Sequence, residues 1–473
     1  MRLNFLFGFL MFATTATSQV FVTATTSKNP VIPDLLADPS IVNIGGMYYC
    51  YGTTDGYGAG LARSGPPVVW KSADFVNWSF DGFLQPSAVG QKYWAPSKPV
   101  AINGKYYFYP TINESIYAAV ADAPTGPFKL VNGSDTFLGT TAAKPILTIN
   151  GPRGTKGIDA EVFIDDNGDA YLYWAQRGAA NLKPDMYTID TAITVIETKR
   201  SGYSEGPIMF KRKGIYYYCY TLDGHEQYKY AYGFSKVSPL GPFTYPENDI
   251  ITQTDKRRKI YGPGHGSVFS DPLTDNYYFA YLEFGNGGTN RQVWVDKLEF
   301  NDDGTIKPLA LTHRGVGRLA QTRAELSLVD SATITASSVR QDLIVKPVKD
   351  TELNRSENYQ PVNAIDASNR TRWLADTSDR NPWVIVDLGS IKEVTRVEAY
   401  FSKPTAGHAY QLASSTDGSL WTACGGHADT RVQSPHVDSV ALKARYLKLS
   451  ILQGEAGLWE FNIFSVRPAL QVR

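Results

Sequence analysis

The sequence predicts an all-β chain: a five-bladed β-propeller followed by a β-sandwich of jelly-roll type. Three observations predict it: a hairpin pattern that recurs five times in the first two thirds, an aromatic composition punctuated by turn residues, and a change of pattern near Thr333. Aromatic residues make up 13% of the 473, led by 29 Tyr, while 41 Gly and 27 Pro supply frequent turns. That balance suits strands.

The recurring unit is a turn with Gly or Asp, then a run of aromatics. Its copies are IGGMYYCYGT from Ile44, INGKYYFYPT from Ile102, DNGDAYLYWA from Asp166, KRKGIYYYCYT from Lys211 and LTDNYYFAYL from Leu273. A short apolar segment precedes each (PSIVN, PSKPVA, AEVFID, GPIMFK, GSVFS), so strand, tight turn, strand is the economical reading, with alternation suited to a half-buried pleat. Self-similarity at a period of about 50 residues indicates stacked or radial modules, and four short strands per unit make a propeller. The segments from Val68, Tyr117 and Tyr232 read as outer strands, and RQVWVDKLEFNDDGTI from Arg291 completes the last blade.

The chain divides into a leader (1–18), a propeller (19–317), a linker (318–332) and a second domain (333–473). The leader has Arg2 as its positive end, Leu3 to Phe12 as its apolar stretch and Ala16-Thr17-Ser18 as a small-residue cleavage site, the pattern of an export signal. No later apolar run is long enough to span a bilayer. The expectation is a secreted or periplasmic protein, not inserted in a membrane, acting as a monomer. Lys+Arg and Asp+Glu both total 46, which leaves no net field to hold a nucleic acid or an anionic membrane and suits a neutral carbohydrate partner. Cys50, Cys219 and Cys424 are odd in number and unlike in context, which argues against a disulfide framework or a zinc cluster.

Aligning the five hairpins shows which residues precede each. Asp38 stands ten residues ahead of Tyr48, Asp159 twelve ahead of Tyr171, Glu205 eleven ahead of Tyr216 and His265 twelve ahead of Tyr277, while blade two offers Trp94-Ala95-Pro96. Corresponding strand starts form a ring around one axial opening, so three carboxylates, an aromatic and a histidine should face one another. Like charges partly desolvated raise one another's pKa. Glycoside cleavage needs that asymmetry, one carboxylic acid protonating the leaving oxygen while an ionised carboxylate activates water.

The same residues carry a resemblance to glycoside hydrolase family 43 over roughly Pro30 to Gly317: ADPS at Ala37 to Ser40, WAPS at Trp94 to Ser97, IDAEVFID at Ile158 to Asp165, SEGP at Ser204 to Pro207 and GPGHGS at Gly262 to Ser267. The resemblance implies that Asp38 is the general base, Glu205 the general acid, and Asp159 the residue that orients the acid and adjusts its pKa. It further implies that Trp94, His265 and Arg291 bind substrate, and that no cofactor is required, although relatives can place calcium or a water cluster near His265. The expected activity is inverting removal of arabinofuranosyl, xylosyl, galactofuranosyl or galactosyl residues. The alternative is a lectin-like propeller that binds sugar without turnover; survival of all three carboxylates argues against it. A retaining fructosidase would need an Asn before Asp38 and a Cys after Glu205, where Ala37 and Gly206 stand.

From about Thr333 to Arg467 the chain resembles a discoidin, or coagulation-factor type C, module, a fold that serves many enzymes as a carbohydrate-binding appendage. The resemblance rests on Asp366 to Trp373, Trp383 to Gly389 and RYLKL from Arg445. Trp373 and Trp383 read as core residues of its strands.

Overall fold

A computed structural model describes residues 29–466 except 33–35, 55–66, 74, 77, 85–91, 132–143, 204, 272–273, 286–290, 318, 320–324, 342, 346–354, 358, 367–370, 403–407, 429–433 and 435. The leader therefore lies outside the described residues, as does part of the linker.

Five antiparallel sheets follow one another along the chain. Blade one is Leu36–Ile44, Met47–Thr54, Val68–Ser72 and Ser79–Phe83; blade two is Val100–Ile102, Lys105–Phe108, Ala119–Ala121 and Lys129–Leu130. Blade three comprises Glu161–Ile164, Ala170–Trp174, Gly178–Leu182 and Thr194–Val195, and blade four Ile208–Arg212, Ile215–Leu222, Lys229–Ser235 and Ile250–Gln253. Blade five has three strands, Pro263–Ser270, Tyr277–Glu283 and Gln292–Leu298. A small extra sheet of two-residue strands (Tyr93–Trp94, Thr111–Ile112, Ser115–Ile116, Leu147–Thr148) interleaves with blade two.

The apolar clusters show why these sheets form a ring. Tyr51, Val69 and Phe108 join blades one and two; Tyr109, Ala118, Leu172 and Trp174 join two and three. Tyr173 and Tyr218 join three and four, Tyr217, Tyr232, Phe279 and Trp294 join four and five, and Ile41, Trp70, Phe269 and Val293 return from five to one. Every blade is thus covered on both faces. The middle strands are accordingly buried almost continuously, as in Ala170–Trp174 and Ile215–Leu222, where the sequence pattern suggested half-buried pleats. Burying one large apolar side chain contributes about 1.5 to 3 kcal/mol, so the aromatic runs hold the blades together.

Blade five recruits its missing edge from the start of the chain. The Val31 N–H donates to the Val293 carbonyl (2.9 Å), while the Asn29 side chain donates to the Val295 carbonyl (3.1 Å) and accepts from the Val295 N–H (2.9 Å). Residues 266 apart in sequence thereby close the ring.

The second domain is a sandwich in which two long strands, Trp383–Phe401 and His436–Gln453, each serve both sheets, with register shifts marking the crossing. Residues 384–387 pair with Thr333–Ala336 and 383–387 with 446–450, while 396–401 pair with Gly457–Val466. Trp373, Val386, Leu412, Leu449, Phe401 and Phe461 fill the space between. The stretch 318–332 is not a linker throughout: Glu325–Ser327 pairs with Phe464–Val466, and Leu328 and Val329 enter the sandwich core. The strand needs a partner for its backbone groups, and the free edge of Gly457–Val466 supplies one. Tyr400 and Trp459 leave the sandwich core and join the cluster of blades five and one, Tyr400 stacking on Trp70 with ring centres 5.2 Å apart. One corner of the sandwich buries histidines. His408 stacks on Phe401 at 4.0 Å, His436 lies 4.9 Å from His427, and neither His408 nitrogen finds a hydrogen-bond partner among the described residues.

Candidate active site

Four blades begin with the same backbone event. Asp38 (φ 50°), Ala95 (φ 38°), Asp159 (φ 58°) and Gly206 (φ 60°) all take left-handed conformations at the start of their repeats. For a non-glycine residue this costs about 1 to 3 kcal/mol, and such positions gather where the surroundings impose them for function. At Gly206 the space also demands glycine: a Cβ would meet the Tyr230 hydroxyl at 2.9 Å and the His265 ring at 3.0 Å.

These turns bring the acidic residues together. Asp38, Asp159 and His265 are buried, and the His265 Nδ1 lies 3.9 Å from Asp38 Oδ1 and 3.8 Å from Asp159 Oδ2. Arg291 reaches in from blade five, its Nη1 3.4 Å from Asp38 Oδ1. The Gly206 N–H points at Asp159 Oδ2 (3.4 Å), which ties Asp159 to the residue next to Glu205. Trp94 is joined less directly: it is half-buried, makes no polar contact with the carboxylates, and adjoins the Ala95 N–H that donates to Thr53.

Burial favours the protonated form of two of these carboxyls. It pushes the Glu205 carboxyl up to about 7, with the charge of Asp159 adding to the rise and Tyr228 and His265 opposing it. Asp159 is also pushed up to about 7, first by burial and then by the charge of Asp38, against the Gly206 N–H and Arg291.

Several partners were not singled out from the sequence. The Thr53 hydroxyl donates to Asp38 Oδ2 (2.6 Å) and accepts from the Ala95 N–H (2.8 Å), linking blades one and two. Thr111 accepts from the Asp159 N–H (3.1 Å), and Thr221 accepts from the Glu205 N–H (2.8 Å). All three threonines end a repeat copy (CYGT, FYPT, CYT), so the signal lay in the aligned text. Tyr228, from the segment after blade four's second strand, donates to Glu205 Oε1, and Lys98 pairs with buried Glu161. Nothing in the local sequence around Tyr228 marks that contact. Among the described residues no group of three or more His, Cys, Asp or Glu side chains is arranged to hold a metal ion.

Comparison with known proteins identifies the class. The family model "Glycosyl hydrolases family 43" matches residues 27–306, and "F5/8 type C domain" matches 333–462. A solved glycoside hydrolase is 52% identical, covers 93% of this chain and 99% of its own, and superposes with a TM-score of 0.81. A β-D-galactofuranosidase of Aspergillus niger is 28% identical over 62% of this chain and 87% of its own length. An arabinoxylan arabinofuranohydrolase of Bacillus subtilis is 27% identical over 64% and 68%. These matches support hydrolysis and set aside the non-catalytic reading. No helix among the described residues is long and apolar enough to cross a membrane. With its propeller, its converging carboxylates and a family match over more than half its length, this chain belongs to the glycosyl hydrolases of family 43.

Proposed function

We propose that the chain is an inverting exo-acting glycosidase that releases single furanosyl residues, arabinofuranosyl or galactofuranosyl, from polysaccharide side branches. The observation that carries it is the gathering of Asp38, Asp159 and Glu205 at one place, His265 Nδ1 lying 3.9 Å from Asp38 and 3.8 Å from Asp159, with burial pushing Glu205 up to about 7. Glu205 then holds its proton near neutral pH and gives it to the departing glycosidic oxygen, while Asp38 takes a proton from the water that attacks the anomeric carbon from the opposite face. Thr53 occupies one Asp38 oxygen and leaves the other facing Arg291 and His265. Burial raises the proton affinity of Glu205, and the charge of Asp159 adds to it. Trp94 provides an apolar wall for the sugar. The furanosyl preference is supported by the named activities of the two relatives described above. The leader text supports export to the cell exterior or periplasm, and calcium is not required by this scheme.

The test is turnover of aryl α-L-arabinofuranoside, β-D-galactofuranoside and β-D-xylopyranoside by the purified chain, with the product's anomer read by proton NMR in the first minutes. Release from a furanoside with inverted configuration is expected. A product of retained configuration, or turnover confined to the pyranoside, defeats the proposal.

A further inference from the structure

The two outer faces of the sandwich differ. One carries Tyr400 and Trp459 and is pressed against Trp70 of blade one. The other, built from Trp383–Asp387 and its neighbouring strands, lies across the core from that contact. Along 383–388 the odd positions face outwards and the even ones enter the core, so Trp383 is half-exposed while Val384 and Val386 are fully covered. Trp383 is therefore not the core residue its sequence suggested; only Trp373 is.

Pairing places Trp383 beside Ser450, Ile385 beside Lys448 and Asp387 beside Tyr446, with exposed Gln411 next to Ser450 on the following strand. Trp421, also half-exposed, approaches from the turn before Thr422. The Lys448 ammonium is held between the two indoles, 5.3 Å from the Trp383 ring centre and 5.9 Å from that of Trp421. Cations favour aromatic faces within about 6 Å. Among the described residues Lys448 has no carboxylate partner, because Asp387, the acidic side chain in these rows, is taken bidentately by Arg445 at 2.8 and 2.9 Å. Half-exposed indoles with one uncompensated positive charge between them suit a ligand that offers flat C–H faces and a negative group together.

We infer that this face is a binding site for an acidic polysaccharide: sugar rings lie on Trp383 and Trp421, and a uronate carboxylate meets Lys448. The site is on the opposite side of the sandwich from the propeller contact, so a bound chain would leave that contact intact. The inference takes from the proposed function only that the enzyme acts on polysaccharide.

Affinity electrophoresis of the full-length chain in the cold, in gels containing either glucuronoxylan or an uncharged linear arabinan, tests it. The parent should be retarded more by glucuronoxylan. Trp421→Ala and Trp383→Ala should each raise the apparent dissociation constant roughly tenfold in both gels, equivalent to about 1.4 kcal/mol. Lys448→Gln should abolish the preference for the acidic polymer. Turnover of a soluble aryl furanoside should stay within about twofold of the parent in every variant, which separates failure of this site from failure of the catalytic assignment. A parent retarded equally or not at all, or a Trp421→Ala or Lys448→Gln protein that runs as the parent does, overturns the inference; unchanged thermal unfolding of Trp421→Ala certifies its fold.

Discussion

At the propeller mouth, burial drives Asp159 and Glu205 up to about 7, whereas in the sandwich it drives His408 and His436 down to about 4. The force is the same, loss of water around a charge, and it favours the neutral form in both places. The surroundings differ. Glu205 is only half-buried, beside other acids and a phenol, so its held proton can be handed on. His408 is sealed against Phe401 and acts as a neutral ring. Burial shifts a pKa in either setting, but it becomes chemistry only where the group still reaches an opening.

Substitution at the mouth should break this contrast most strongly. Glu205→Gln and Asp38→Asn should each lower kcat at least about a hundredfold, the scale of losing a positioned acid or base, with hydrogen exchange in the sandwich unchanged. Near-normal turnover by either protein would remove the mouth from the mechanism. Next in size is Thr53→Val, which removes the hydroxyl between Asp38 and Ala95. A hydrogen bond to a charged group contributes about 1.5 to 3 kcal/mol, so kcat should fall about tenfold or more with KM little changed, and Thr53→Ser should restore it. An equal loss in the Ser protein would show that the methyl group matters instead.

The smallest effect is on stability against pH, and its sign differs between the regions. Asp159 and Glu205 rise from ordinary values of 3.8 and 4.5, so their stabilising contribution is complete below those values and is lost as pH climbs to about 7. His408 and His436 fall from 6.5 to about 4, so their contribution is complete above 6.5 and is lost as pH drops towards 4. Hydrogen exchange should therefore show that Glu205→Gln steadies Ile215–Leu222 above pH 7, whereas His408→Phe protects the strand 446–451 near pH 4.5. If His408→Phe leaves the acid sensitivity of the sandwich unaltered, the buried imidazole is not its source.

Much of this was legible in the text because a propeller repeats itself. The five hairpins, and the positions of Asp38, Asp159, Glu205 and His265 ahead of them, follow from alignment alone, since equal places in equal modules converge on one axis. The threonines ending three copies were equally visible, but their purpose depends on which neighbour each hydroxyl faces, a cross-blade relation that no single strand reveals. Tyr228 depends on how a connecting segment folds back, and the half-exposed Trp383 on which side of a strand its sheet turns to solvent. The edge supplied by Asn29 and Val31 was missed for a related reason: it pairs with a strand far along the chain and resembles no repeat.

That borrowed edge constrains when the molecule can fold. Blade one needs blade five as its apolar neighbour, and blade five needs residues 29–31 as its border, so neither is complete while the segment 292–298 is still being synthesised. Contacts so distant in sequence are won late and against a large loop entropy. A nascent chain halted before blade five would leave Trp70, Ile41 and Cys50 without the cover of Phe269 and Val293, an aggregation hazard that the finished ring removes in one closing step.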